Sequence, residues 1–502
     1  MAKILFINPV IRQDDKPKHI RYGIAQLAAI VIKEGHLVQV FDANAWRPTD
    51  KGICDVLACD NWDVIAIGGL VTTYGFIKKT VKYAKKVCPK ALIVAGGGFI
   101  TPIPHDIMNF LPEIDLGVIG EGYSTLPEIL KQVDKKNYDW GDIRGIIFRD
   151  KDGEIHLSGE RPLLEDVDTL PFPAWHIFPV DIYFQNSSLL LSEEAMLSKR
   201  CLDVMASYGC PYKCKYCFHL GLSGELEIKE SNGKKNVALT SRRNVRHHSP
   251  EYVIELVKYA KNKFDVDFIS FLDENFAVLA KKSKWFDEFS DLWKKAGLQP
   301  QCVKNKKEHD PNFCSGIHWG TTAHAAIVNM DMLKQFKELG CAHLDYGLES
   351  FSDEILKTIG KGTDVRHNED AIIMTLKAGI RPIPNQIVGF PDETFESIIA
   401  NVEAWERLGI QSYPFFATPY PGSEWYFSFK DKILEQYNGN LEDFLLDLGD
   451  ATKLTAVISK NFNAVELLGL RELMVNRDVK RIKQYRRLRD SLPPSTVCLP
   501  AS

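Results

Sequence analysis

The sequence predicts an α/β protein built on two sheets. An N-terminal doubly wound, Rossmann-like parallel sheet is followed by a partial (β/α)6 barrel and a small helical C-terminal region. Three observations lead there. Strand-length apolar runs alternate with helical patterns through residues 1–140, glycines collect where those runs end, and a second strand–helix alternation begins at residue 196.

The first series opens with ILFINP (4–9), followed by an amphipathic run from Gly23 to Lys33 that stops at Gly35. LVQVFDA (37–43), DVIAIGGL (63–70), a Lys-rich helix around 77–86, ALIVAGGG (91–98) and LGVIGEG (116–122) continue it. In such sheets ligands sit beyond the C-terminal strand ends, where these glycines fall. Residues 141–195 carry DTLPFPAW (168–175) and read as a proline-rich, strand-poor connection. The second series, 196–426, has strand candidates LDVMAS (202–207), DFISFLD (267–273), GIHWGTT (316–322), HLDYGLE (343–349), NQIVGF (385–390) and SYPFFATP (412–419). Its helices include SPEYVIELVKYAKNKF (249–264), with Ser249 as N-cap. Residues 427–502 read as a mostly helical extension.

At 502 residues, 45% hydrophobic and 25% charged, the composition is that of a globular protein. A net charge of −4 argues against a nucleic-acid binder. No apolar stretch approaches the roughly 18 residues of a membrane span, and MAKILFINPV lacks a signal-peptide cleavage pattern, so a cytoplasmic protein is expected. Eleven cysteines without an export signal point to metal rather than disulfides.

Only three cysteines lie close together. SYGCPYKCKYCFHL places Cys210, Cys214 and Cys217 on one loop after a strand. Soft thiolates select iron–sulfur or zinc, and a closed site wants four protein ligands. Three without a near fourth leave one metal corner open, and a zinc site borrowing a distant His or Cys is the alternative. The other cysteines read as buried apolar thiols.

This triad resembles the radical SAM superfamily, whose open iron is chelated by S-adenosylmethionine (SAM). The resemblance implies a [4Fe–4S] cluster, with Tyr216 as the expected aromatic before the last cysteine and Phe218 near adenine. FLDENF resembles the segment that binds the SAM amino group, through Asp273 or Glu274, although the usual two glycines are missing. DYGLESFS implies ribose and carboxylate contacts from Glu349 and Ser350, and NQIVGFPDET implies adenine contacts from Ile387 and Gly389. TPYPGSEWY (418–426) resembles the closing segment of cobalamin-dependent members.

In the first domain, Gly68, Gly69, Thr72 and Thr73, then Gly96, Gly97 and Gly98, then Gly120, Glu121 and Gly122, mark strand ends a ligand can approach. A nucleotide is an open alternative, but G-x-G-x-x-G is absent after the first strand. Together with the triad, this stretch resembles the cobalamin-binding domain of cobalamin-dependent radical SAM enzymes. Asn8 and Pro9, Tyr22 and Gly23 in YGIAQLAA, GHLVQVFDAN and IGEGYSTLPEIL carry that resemblance, which covers roughly residues 1–425. No D-x-H-x-x-G occurs, and His19, His36 and His105 read as surface or capping residues. Cobalamin is therefore expected with its tail displaced and no histidine on cobalt.

The resemblance implies C-methylation of an unactivated carbon through methylcobalamin and a 5′-deoxyadenosyl radical. LGDATKLTAVISKNF (448–462) also resembles the anaerobic magnesium-protoporphyrin ester cyclase subgroup, so cyclisation or ring rearrangement is the second expectation. A cobalamin sensor or carrier is the third, but it would have no use for an open-cornered cluster. A flavodoxin or ferredoxin reductant is implied, and a small-molecule, lipid or peptide substrate fits. KRIKQYRRLRD (480–490) reads as a solvated helix, and RRNVRHH (242–248) as structural.

Overall fold

The computed structural model describes residues 1–186, 198–218, 226–231, 234–240, 245–281, 283–301 and 316–491. Cys302, Cys314 and Cys498 lie outside the described residues.

The first sheet contains β1 (Lys3–Asn8), β2 (Leu37–Asp42), β3 (Val64–Gly68), β4 (Leu92–Gly96) and β5 (Leu116–Val118), all parallel. Its order is β2-β1-β3-β4-β5 and then β6 (Ile146–Arg149) and β7 (Ile155–Leu157), which are antiparallel. The alternation of side chains along β1 divides the core. Ile4 and Phe6 join one hydrophobic cluster, Leu5 and Ile7 the other. Each such side chain, fully buried, stabilises the fold by ~1.5–3 kcal/mol. The helix Tyr22–Lys33 ends as expected, with Gly35 at φ 88°.

The stretch 141–195 is more than a connection. Ile146 and Ile147 are fully buried, so β6 and β7 close the edge of the first sheet. Short strands hidden among charged and glycine residues carry little periodicity, which is why the sequence concealed them. Downstream, Trp175 stacks on Tyr259 at 5.9 Å, and this contact belongs to a core continuous from the first sheet to the second.

In the second domain, β8 (Cys201–Val204) precedes a short pair, β9 (Ser207–Tyr208) with β12 (Arg246–His247), and a hairpin, β10 (Leu226–Ser231) with β11 (Lys234–Leu239). Next come β13 (Phe268–Phe271), β14 (His318–Ala323), β15 (Cys341–Glu349), β16 (Arg381–Val388) and β17 (Phe415–Phe416). The six main strands are parallel, and β8-β13-β14-β15-β16-β17 run in chain order, the staves of an unclosed barrel. Leu202, Val204, Ile269, Phe271, Leu344 and Tyr346 face the helices. The intervening residues face inward. Ser249 caps the helix Pro250–Phe264, accepting from Tyr252 N at 3.2 Å.

The C-terminal helices pack on both domains. Ile433, Phe444 and Leu445 enter the first domain's core, whereas Leu467, Leu470 and Met474 join the second's. The basic run 480–490 is anchored by ion pairs of Lys483 to Glu403, Arg486 to Glu396 and Arg489 to Glu466. Among the described residues no helix is long and apolar enough to cross a membrane.

Candidate functional site

The cysteine loop leaves the end of β8 and is pinned by the end of β13. Asp273, fully buried, accepts from Ala206 N at 3.0 Å and from the Ser207 hydroxyl. Burial pushes its carboxyl up to about 7. Gly209, at φ 91°, turns the chain into Cys210 and donates its N–H to Glu274 Oε2 at 2.7 Å. Asp273 is thus committed to holding the loop, and Glu274 is the carboxylate beside Cys210. Farther along, Lys215 N donates to Ile359 O at 3.0 Å and Trp425 N to Lys215 O at 3.2 Å. The loop is therefore tied to three separate elements.

Burial raises the thiols of Cys210, to about 11, and Cys214. Among the described residues no three His, Cys, Asp or Glu side chains converge as one metal ion would require. In an iron–sulfur cluster each thiolate serves a different iron, so three cysteines on one loop leave one iron without a protein ligand. The donor set fits a cluster with one open corner.

Around this loop lies a buried polar group that the sequence only half disclosed. Glu349, held at φ 62°, accepts from Tyr216 OH at 2.6 Å and from Lys361 Nζ at 3.0 Å, and Lys361 Nζ is 2.9 Å from Tyr216 OH. Gly347 makes room, since a Cβ there would lie 2.4 Å from Glu349 Oε1 and 2.8 Å from Lys361 Nζ. Tyr212 stacks on His324 at 3.5 Å, and His324 Nε2 lies 2.9 Å from Lys361 O. Burial drives His324 down to about 3, so it is neutral.

Other residues of the rim divide. Tyr216 packs near Trp425 with Ile387, and Phe218 meets Tyr420 edge-on at 5.5 Å. Gly389, at φ 93°, donates to buried Glu393 at 3.0 Å. Ser350 is spoken for internally. It is fully buried, and its hydroxyl donates to Asn401 and accepts from Ser352 N.

At the first sheet's rim, backbone meets backbone. Gly69 N donates to Gly96 O at 3.3 Å, and Phe99 N to Gly69 O at 3.1 Å. A Cβ on Gly97 (φ 89°) would lie 2.9 Å from Gly69 O, and one on Gly68 3.1 Å from Gly96 O. Gly98 is buried behind them, Gly122 abuts Leu27, and Gly120 (φ 75°) and Gly23 have space beside them. Thr72 is half-buried, but Thr73 turns its hydroxyl to Leu70 O at 2.7 Å. Asn8, next to buried Pro9, gives its amide to Asp42 at 2.8 Å, and Asp42 also accepts from Tyr183. Tyr22 is buried beside Tyr123 and Tyr252. Glu121 forms a two-pronged ion pair with Arg246, whose guanidinium also lies over the Tyr208 ring at 5.5 Å. This pair joins the two rims. The side chains of Thr73, Asn8 and Glu121 are therefore engaged in the fold, whereas Gly23, Gly68, Gly96, Gly97, Gly120 and Gly122 keep some exposed surface.

Residues 204–404 match the radical SAM superfamily, and residues 10–130 match the B12 binding domain. The chain pairs a radical SAM domain with a B12-binding domain. It is 28% identical over 418 residues to an uncharacterised methyltransferase of Pyrococcus horikoshii, covering 83% of this chain and 80% of that one. It is 25% identical over 377 residues to an anaerobic magnesium-protoporphyrin IX monomethyl ester cyclase of Cereibacter sphaeroides, covering 74% of this chain but 54% of the relative. The solved structure of the radical SAM methyltransferase TsrM from Kitasatospora setae shares the fold, with a TM-score of 0.62 at 15% identity, over 86% of this chain and 76% of that one.

The chain is thus a radical SAM enzyme, a class that needs a reductant. Within its radical SAM domain, sequence reasoning missed Lys361, Tyr212 and His324. The only local signal was Gly360-Lys361-Gly362, where φ is positive at both glycines and the intervening lysine is aimed inward. In the B12-binding domain the His36 side chain is 5% exposed and accepts from Ala2 N, His105 Nε2 lies 2.7 Å from Lys235 O, and His19 pairs with Asp203. Open space beside Gly23 and Gly120 leaves part of the rim's backbone free for a ligand such as cobalamin.

Proposed function

We propose that this chain is a cobalamin-dependent radical SAM methyltransferase acting on an unactivated carbon. The observation that supports it most is the junction of a three-cysteine loop with a glycine rim through Glu121 and Arg246. The similarity to proteins named as methyltransferases points the same way. When bound, the cluster and SAM supply a radical that removes a hydrogen atom, and cobalamin supplies a methyl-carrying metal.

The protein's part is positioning. Cys210, Cys214 and Cys217 hold the cluster. Lys361, oriented by Glu349 and Tyr216, faces the SAM carboxylate, and Glu274 faces its amino group. Ile387, Gly389 and Phe218 border the adenine. Backbone at Gly68, Gly69, Gly96, Gly97, Gly98, Gly120 and Gly122, with Thr72, borders cobalamin. With His36 and His105 engaged elsewhere and no D-x-H-x-x-G, cobalamin binds with its tail displaced and no histidine on cobalt. A flavodoxin or ferredoxin supplies electrons in the cytoplasm.

The test is SAM with a deuterated methyl group. S-adenosylhomocysteine and 5′-deoxyadenosine should form in comparable amounts, with label entering the product. Deoxyadenosine without adenosylhomocysteine or label would favour cyclisation or rearrangement, which the cyclase relative supports. Electron paramagnetic resonance of the cobalt(II) form checks ligation, and nitrogen coupling would refute the histidine-free site.

A further inference from the structure

The inward face of the unclosed barrel carries two carboxylates, buried Asp203 on β8 and largely buried Asp345 on β15. Their flanking residues fix their direction. Leu202 and Val204, and likewise Leu344 and Tyr346, join the helix-side core, so the aspartates between them point into the lumen. The chain treats the two differently. Asp203 receives His19 from the first domain, its Nδ1 3.0 Å from Oδ1, and the carboxylate holds that imidazole above its ordinary pKa. The result is a complete ion pair.

Among the described residues Asp345 receives no charged cation. Its Oδ1 is buried and without a partner, and its nearest ring, His343 Nε2, lies 3.5 Å from Oδ2. That ring cannot supply charge, because burial and Arg381 drive His343 down to about 4. His343 forms a floor, stacked on Phe268 at 5.8 Å and lying over Gly320, where any Cβ would strike the ring. Asp345 stands one strand repeat above that floor. It lies about 13 Å along β15 from Glu349, below the cysteine loop. Its side chain keeps 16% of its surface open.

A buried carboxylate without a partner costs several kcal/mol unless it is protonated or meets a cation. Burial does raise Asp345 to about 7, so near neutral pH a modest attraction suffices to ionise it.

We propose that Asp345 is a specificity-determining residue that receives the protonated nitrogen of a basic substrate in the barrel lumen. The substrate is then an amine or similarly cationic molecule, whose charge completes at Asp345 the pair that His19 already completes at Asp203. This rests on the radical SAM methyltransferase reading for its role in turnover, and its test does not require turnover.

Benzylamine, benzyl alcohol and benzoate serve as probes of equal shape and different charge, titrated into the full chain by saturation-transfer NMR at pH 7.5. Benzylammonium should bind at least tenfold more tightly than the alcohol, and benzoate more weakly still. Asp345→Asn should abolish that preference. Circular dichroism of the variant checks folding, and the wild-type preference needs no variant at all. Equal binding of the amine and the alcohol, no binding of the amine, or a preference that survives in Asp345→Asn would overturn the proposal. Deoxyadenosine formation by the wild-type holoenzyme separately tests the reading beneath it.

Discussion

The two sheet rims that face each other solve the same problem in opposite ways. The first sheet's rim is made by removing side chains, so that Gly68, Gly69, Gly96 and Gly97 bring backbone against backbone. The second sheet's rim is made by adding buried charge, with Glu349, Lys361, Asp273 and Glu274 gathered from separate elements around the cysteine loop. A surface stripped of side chains adapts to a broad ligand. One fixed by paired charges holds small groups in a set geometry, the preorganisation that radical chemistry needs.

If the rims are separable in this way, changes at one should spare the other. The largest effect is expected from replacing Cys210, Cys214 and Cys217 together by Ala. Iron from anaerobic reconstitution should fall to background while cobalamin is still retained, as read by metal analysis of the same sample. Iron that survives the triple change would contradict the cluster assignment.

Next is the contact that joins the rims. Glu121→Ala leaves the Arg246 guanidinium buried without its partner and should cost about 3–5 kcal/mol in urea unfolding. The double variant Glu121→Leu/Arg246→Met should recover most of that loss. A single variant as stable as the wild type would mean the pair is solvated.

Gly97→Ala should cost about 1–3 kcal/mol, because its backbone is left-handed and a Cβ would press on Gly69 O. It should also weaken cobalamin retention while the iron content stays unchanged, by absorbance after gel filtration. Parallel loss of iron would show that the two rims are one unit.

The smallest effect concerns Glu393. Burial lifts its carboxyl to about 7 from 4.5, so between those values the folded chain binds a proton that the unfolded chain has released. Stability should therefore fall as pH rises through that window and level off above it. Glu393→Gln should flatten part of that slope, measured as urea midpoints at pH 5 and pH 8.

How legible each rim was in the sequence follows from how it is built. Glycine runs at strand ends announce themselves locally, as do a three-cysteine loop and the strands that precede them. Lys361 could not be read that way. Its partners lie 12 and 145 positions away, and nothing in Gly360-Lys361-Gly362 says that the amine is aimed at Tyr216 and Glu349. Asn8 and Glu121 sat in recognisable motifs, yet long-range partners claimed their side chains: Tyr183 with Asp42 for one, Arg246 for the other. The strands β6 and β7 were lost for a further reason, since at four and three residues they are too short for a period of two to stand out.

The path of the C-terminal region has a mechanical consequence. The chain crosses to the second domain after Phe184, returns to put Ile433 and Phe444 into the first, and crosses back before Leu467. On its return it is riveted, for Tyr74 and Lys78 each donate to Glu442 at 2.6 Å. Two bodies tethered once can swivel, and tethered twice they can swing on a hinge. A third tether, with this rivet, restrains the swing further. The C-terminal region thus works as a lacing between the two domains, passed through both cores and knotted at Glu442.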